Sequence, residues 1–315
     1  MVRLLLKAVD KFYGSVHALC DFSYSFEPGI YALLGPNGSG KSTLMNIISN
    51  NIPADSGSVL FSRDGSAEAD VFDMGDLFRQ ELGYLPQDPT FYPSFSVNQF
   101  MWYMAELKRV RGQSRGKTGR LAISAQIDQL LREVDLEQIR HQPISSISGG
   151  MKQRLGIAQA LLGNPTVILL DEPTAGLDPM QRVNIRNYIS KIAKDRIVIL
   201  ATHIISDIEQ SAKDILILKN GILANHGSSR ELANRMQGHV WTIQTRENQI
   251  NTFANRFRVI GISQIGDPNS EMVSIRLIAA EKPTENALPV QPGLEDYCLT
   301  IFGSQGSYCT FDVSL

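Results

Sequence analysis

Cysteine is almost missing from this chain. Cys20, Cys298 and Cys309 are the only three among 315 residues, too few and too scattered for a disulfide framework or a zinc site. They read as the reduced thiols of a cytosolic protein. Net charge is nearly missing as well: 30 Lys and Arg against 32 Asp and Glu leave a formal −2, which gives no reason to expect a nucleic-acid partner. No window holds 18 uninterrupted apolar residues, so no membrane-spanning helix is expected. Any action on a membrane would have to run through a partner. The apolar run after Met1 is too short for a signal peptide, and Asp10 follows it closely. No long-range repeat is visible. The remaining composition, 43% hydrophobic and 20% charged, is that of a soluble globular protein, and the length suits one large or two ordinary domains.

What the chain does have is one glycine-rich stretch, Gly35-Pro36-Asn37-Gly38-Ser39-Gly40-Lys41-Ser42-Thr43. It fits G-x-x-x-x-G-K-[ST], a loop whose backbone N–H groups cradle phosphate. An apolar β-type run at residues 30–34 leads in, and residues 44–48 continue as a helix. Strand, glycine turn and helix N-terminus together surround one anion with N–H groups and the positive end of a helix dipole. Lys41 then reaches the β- and γ-phosphates, and the Ser42 hydroxyl takes a place on Mg²⁺. By itself the loop means a nucleoside triphosphate and says nothing of its use.

Residues 2–34 alternate in short β-type segments broken at Gly14 and Gly29. An acidic stretch over residues 64–76 reads as surface. Helical patterns are expected over residues 96–110 and 123–134, separated by the cationic, glycine-bearing run from Arg111 to Arg120, which reads as a solvated loop. Two unbroken apolar runs follow, at residues 166–170 and 196–200, the pattern of strands buried on both faces in a parallel α/β sheet. Helices are expected over residues 150–162, 180–194 and 204–212. Around Gly238 the character turns to β-type alternation, and a domain boundary is expected there.

The first of those apolar runs ends in Asp171-Glu172 and the second in His203. At the carboxyl edge of a parallel sheet, such a carboxylate pair lies beside the phosphate loop. Asp171 can then hold the Mg²⁺ shell while Glu172 polarises an attacking water, and His203 can sit on the γ-phosphate side. A second glycine motif, Ser148-Gly149-Gly150-Met151, places Ser148 as the N-cap of a helix whose first N–H groups are left open. That makes a second anion site in a chain with one phosphate loop.

In this order the motifs resemble the ATP-binding subunit of an ATP-binding cassette (ABC) transporter, over about residues 1–235. Residues 35–43 are similar to the Walker A loop and residues 167–171 to the Walker B strand, with Glu172 in the catalytic glutamate position. Residues 148–151 resemble the signature motif, Gln87 the Q-loop glutamine, Asp178 the D-loop aspartate, His203 the switch histidine and Tyr13 the aromatic that stacks on adenine. The resemblance implies a P-loop NTPase core (α/β, parallel sheet) with an N-terminal antiparallel β subdomain and an inserted α-helical subdomain near residues 88–162. These make up an ATP-binding domain at residues 1–237, followed by a small C-terminal α+β domain at 238–315. It implies ATP and Mg²⁺ as ligands, the metal held by Ser42, Gln87 and Asp171, with Glu172 and His203 catalytic.

It also implies a head-to-tail dimer with a second ATP-binding subunit, identical or not, in which each nucleotide is closed over by the other subunit's Ser148 helix. A separate transmembrane permease would hold the pair at the cytoplasmic face of the membrane. The aromatic-rich segment from Phe91 to Tyr103 is either subdomain core or the groove for that partner. Met151 departs from the glutamine common in the family, with altered packing and no loss of activity expected. The Ser-Gly-Gly-Met-Lys-Gln-Arg run and Leu294-Glu295-Asp296 resemble the bacterial multidrug and bacteriocin exporter branch. Soluble ABC ATPases of translation, repair or assembly usually carry paired cassettes, a coiled-coil insertion or a basic surface, none of which this sequence has.

Overall fold

Buried Leu4 and Leu6 alternate as in any half-buried strand, yet the next buried residue is Val9. In the computed structural model, which describes residues 2–110, 117–266 and 271–303, the change of phase is a bulge in β1 (Arg3–Tyr13) opposite β2 (Val16–Phe26). Ala8 takes φ 48°, and its N–H donates to Ser23 Oγ at 2.8 Å, so the extra residue leaves no orphan donor. β3 (Gly29–Leu34) follows, then α1 (Lys41–Ile48) and β4 (Ser56–Ser62), which pairs antiparallel with β1. The acidic stretch is not all surface. Ala69 and Asp70 form β5 on β4, and the Asp70 carboxylate caps α2 (Val71–Met74) by accepting from the Phe72 N–H, which leaves Val71 only 1% exposed. α3 (Asp76–Glu81) buries Phe78 and runs into β6 (Leu82–Leu85).

Residues 88–162 hold α4 (Val97–Leu107), α5 (Lys117–Glu133) and α6 (Gly149–Ala160). A reciprocal cap between Ser96 and Gln99 starts α4. Of the cationic run, residues 111–116 lie outside the described residues, while 117–120 open α5 instead of continuing a loop. Two close approaches seat α6 on β6: a Cβ at Gly83 would lie 2.2 Å from the Ala160 carbonyl, and one at Gly156 2.6 Å from Leu85 Cδ1.

β7 (Val167–Asp171), α7 (Pro179–Ile192), β8 (Ile197–Ala201), β9 (Asp214–Lys219) and β10 (Ile222–Gly227) complete a sheet in the order β10-β9-β3-β8-β7-β6. Strands β3 and β6 to β9 run parallel. Every residue of β7 and β8 is buried, as expected for a parallel sheet covered on both faces. This is the α/β class expected from the sequence. One core joins this sheet, α1 and the antiparallel sheet β2-β1-β4-β5. The helix expected over residues 204–212 is absent: only the single 3-10 turn Ile205–Asp207 forms. Asp207 turns inward to accept from Thr174 Oγ1 at 2.5 Å, and Thr202 Oγ1 accepts the Ile204 N–H at 3.1 Å. The local turn at Thr202 and the tertiary bond of Asp207 together outweigh a helix too short to stand alone.

The chain divides into two compact units at His226/Gly227, eleven residues before the expected start at 238. The reason is α8 (Ser229–Asn234), capped by Ser228 and Glu231. It packs with the second unit's last helix, α10 (Leu294–Phe302), next to the bond from Thr300 Oγ1 to Met236 Sδ. Between them lie β11 (Val240–Arg246), α9 (Ile250–Ala254), β12 (Arg258–Gln264), β13 (Met272–Ile278) and β14 (Leu288–Pro289), in the sheet order β12-β13-β11-β14. Leu294 and Tyr297 of α10 are buried, and Asp296 pairs with Arg276 of β13 at 2.6 Å. Cys20 is a free thiol, Cys298 is buried in α10, and Cys309 lies outside the described residues. Among the described residues no helix is long and apolar enough to cross a membrane.

Candidate active site

In a parallel sheet all carboxyl ends share one edge. Residues 35–43 leave β3 there, Gln87 lies just past β6, Asp171 and Glu172 end β7, and Thr202 and His203 follow β8. The loop after β3 is tightly wrapped. A Cβ at Gly35 would lie 2.4 Å from both the Leu218 carbonyl and Ser39 Oγ. Gly40 stands at φ 105° as the N-cap of α1, where a Cβ would meet the Ala18 carbonyl at 2.6 Å. The Gly221 N–H donates to the Ser39 carbonyl, and the Cys20 N–H to the Gly221 carbonyl, which brace the loop from β2 and the β9–β10 turn. Ser39 is buried, whereas Pro36, Asn37, Gly38 and Ser42 face solvent and Thr43 is half-buried. Lys41 Nζ folds over the loop and donates to the carbonyls of Gly35 at 2.7 Å and Pro36 at 3.0 Å. Burial lowers the pKa of its ammonium, opposed by Asp171 and Glu172.

Asp171 is 7% exposed. Burial first, and the neighbouring Glu172 second, push its pKa up to about 6, with Lys41 pulling the other way. A carboxylate so placed gains from a divalent cation beside it. The donors at hand, a carboxylate and the Ser42 hydroxyl, are the hard oxygen ligands that Mg²⁺ takes, so the set fits. The same burial costs stability. The unfolded carboxyl ionises near 3.8 and the folded one near 6, so the penalty is absent below the first value, grows between them and is full above the second. Asp171→Asn should therefore raise the unfolding free energy of the nucleotide-free protein by on the order of 2 kcal/mol at pH 7.5. Urea titration at pH 7.5 and again near pH 3 checks this, because the gain must vanish once both states carry the protonated carboxyl.

Glu172 holds φ 50°, a region that a side chain enters only when its surroundings impose it. Its N–H donates to the Ala201 carbonyl at 2.8 Å. Oε1 lies 2.7 Å from His203 Nδ1, and Oε2 accepts from Thr202 Oγ1 at 3.2 Å. The Glu172 side chain is 13% exposed and that of His203 74%, so the imidazole stands at the rim with the carboxylate below it.

Tyr13 is half exposed at the end of the β1–β2 hairpin and paired with Val16, on the side where Ala18 meets the loop. Gln87 is exposed. The second glycine motif stands apart. Ser148 caps α6, its Oγ accepting the Met151 N–H at 3.3 Å. Gly150 abuts Gly176, Leu177 and Gln181, beside Asp178, whose carboxylate caps α7 through the Gln181 N–H. Among the described residues no hydrogen bond joins residues 148–151 to residues 35–43. Among the described residues nothing lies within 4 Å of a Cβ placed at Gly149, so no contact there requires a glycine.

Two contributors were missed from the sequence. Thr202 had a signal, being the first residue past a buried strand. Gln153 donates from Nε2 to the Glu172 carbonyl at 2.8 Å; its only trace in the sequence is a polar residue on the inward side of α6.

A family model described as ABC transporter matches residues 19–175. An uncharacterised ABC transporter ATP-binding protein of Bacillus subtilis, YxlF, is 34% identical over 78% of this chain and 77% of its own length. ABC transporter A family member 8 of Dictyostelium discoideum is 31% identical over 78% of this chain, which spans 28% of that longer protein. Among solved structures, a dimeric bacterial ABC transporter cassette is 25% identical with a TM-score of 0.62, covering 71% of this chain and 98% of that one. A dimeric cassette in a post-hydrolysis state, bound to ADP and Pi, is 26% identical at the same TM-score, with the same coverage of each chain.

Proposed function

The chain belongs to the ABC transporter ATP-binding family and is an ATPase that takes ATP with Mg²⁺, and from that premise we propose how it works. Two copies pair head to tail, each ATP held by the phosphate loop of one chain and the Ser148 helix of the other. The closing and opening of this clamp drives export through a separate membrane subunit at the cytoplasmic face.

The observation that carries the reading is that one chain holds two glycine-bearing helix N-termini, at Gly40 and Ser148, with no hydrogen bond between residues 35–43 and 148–151 among the described residues. One has the carboxylates beside it. The other offers exposed Ser148 and Gly149 in space that the chain itself leaves open. A glycine needed by no local contact is explained by a second molecule approaching closely. Because both halves are complete in this chain, two copies form two equal sites, an isologous pair.

Within each site Tyr13 stacks on adenine, and Lys41 with the loop N–H groups holds the β- and γ-phosphates. Ser42, Gln87 and Asp171 hold Mg²⁺, which when bound neutralises charge on the phosphate oxygens. Glu172 accepts the proton of the attacking water. His203, already on Glu172 Oε1, orients that carboxylate at the γ-phosphate side, and Asp178 lines the dimer face.

The membrane subunit docks on the aromatic patch of the helical subdomain. Phe100 and Met101 are buried and belong to its core, but Tyr92 is 47% exposed. Tyr92, Phe95 and Tyr103 form a ring cluster with centroids 5.1–5.6 Å apart, beside the partly exposed Trp102. Interfaces concentrate their binding energy in such aromatics. Tyr92→Ala combined with Tyr103→Ala should leave ATP turnover of the free protein within about twofold and cut co-purification of the membrane subunit about tenfold. Co-expression with the neighbouring genes and affinity purification from solubilised membranes checks this. Unchanged recovery would place docking elsewhere.

A further inference from the structure

Gln153 lies on the helix that Ser148 caps, about 140° round the axis from the cap, and it faces the chain's own core with 8% exposure. Its amide holds the carbonyl of Glu172 at 2.8 Å, while the N–H of the same residue donates to Ala201 on β8. The backbone of Glu172, at its unfavourable φ 50°, is thus clamped from both sides. The next residue, Arg154, is 5% exposed and donates through Nη1 to the carbonyls of Val134 and Asp135 at 2.8 and 2.9 Å, just past the end of α5. Two successive side chains of α6 therefore tie it to the strand end that carries Glu172 and to the helical subdomain.

We propose that Gln153 is a positioning residue that couples the Ser148 helix to Glu172. The coupling rests on the shared-site reading above. When the cap of α6 closes on the partner's nucleotide, the amide–carbonyl bond holds Glu172 in its constrained backbone conformation and aims its carboxylate in this chain's own site. Closure over one ATP then licenses hydrolysis of the other, and the two sites act in concert.

Gln153→Met keeps the length and shape of the side chain and removes the donor. It should lower kcat about tenfold, the rate equivalent of one hydrogen bond, with KM for ATP within about twofold and a Hill coefficient falling from near 2 toward 1. In a Glu172→Gln background the same substitution should change the residual single-turnover rate by less than about twofold, since the carboxylate it positions is already gone. Unchanged kcat and Hill coefficient in a folded Gln153→Met chain would overturn the proposal. So would an equal tenfold loss in both backgrounds, which marks a purely structural role. Failure of the shared-site reading shows separately, as a Glu172→Gln chain that stays monomeric in ATP.

Discussion

Glu172→Gln is expected to bind ATP as the parent chain does, to hydrolyse it about 10²–10⁴-fold more slowly, and to remain a dimer for as long as ATP is present. Glutamine keeps the shape of the side chain and can still bond Thr202 Oγ1 and His203 Nδ1, which hold the two carboxylate oxygens at 3.2 and 2.7 Å. What it loses is the capacity to take a proton from water. Binding depends on the loop after β3 and on Lys41, which the substitution leaves intact. Loss of the negative charge also removes one of the two influences that raise the Asp171 pKa, so the metal side of the site is not weakened. Phosphate release measures the rate, and light scattering distinguishes one chain of 34.9 kDa from two. Turnover within tenfold of the parent would remove Glu172 from the role of base.

The phosphate loop was readable because its geometry is local. Nine consecutive residues specify strand exit, glycine turn and helix start, and the structure has them so. Asp171, Glu172 and His203 were readable as strand ends because unbroken apolar runs mark strands whose carboxyl ends share an edge with that loop. Contacts made only by tertiary packing were not readable. Gln153 meets Glu172 across 19 residues and two elements, and no periodicity encodes that pairing. The loop over residues 204–212 has helical composition, yet Asp207 and Thr202 take partners that a helix would deny them. Val71 sits in an acidic stretch, but the Asp70 cap turns it into the core. The expected start at 238 differs from the division at Gly227 for a related reason: α8 lies between the two and is assigned by its packing with α10.

Ser148→Arg should leave ATP binding to the same chain's phosphate loop unchanged while lowering hydrolysis by more than about a hundredfold and abolishing the ATP-driven dimer. Ser148 is exposed, and among the described residues its side chain makes one hydrogen bond, accepting the Met151 N–H. Its loss as a cap costs about 1 kcal/mol of stability, too little to unfold a chain of this size. Arginine puts a bulky guanidinium where the partner's phosphates would meet the helix N-terminus. It also places a positive charge at the positive end of the dipole. Ser148→Ala serves as the control, because it removes the cap without blocking the seat and should retain the dimer. Fluorescent-nucleotide titration gives the binding constant, and an ATP affinity lost together with hydrolysis would mean that the Ser148 helix acts within its own chain.

The shared site is tested most directly by mixing two inactive chains. Lys41→Ala removes the phosphate loop's cation, and Ser148→Arg blocks the second half-site. A mixed dimer then joins the intact loop of the Ser148→Arg chain to the intact Ser148 helix of the Lys41→Ala chain, giving one whole site in every such pair. Random pairing makes half of the dimers mixed with half of their sites whole, a ceiling of about a quarter of the parent rate. The Glu172 of each whole site belongs to the chain whose Ser148 helix is blocked, so the tenfold coupling through Gln153 lowers the expected recovery to about a fortieth, still well above two chains that are each inactive alone. A mixture no more active than the sum of its parts would contradict the head-to-tail site.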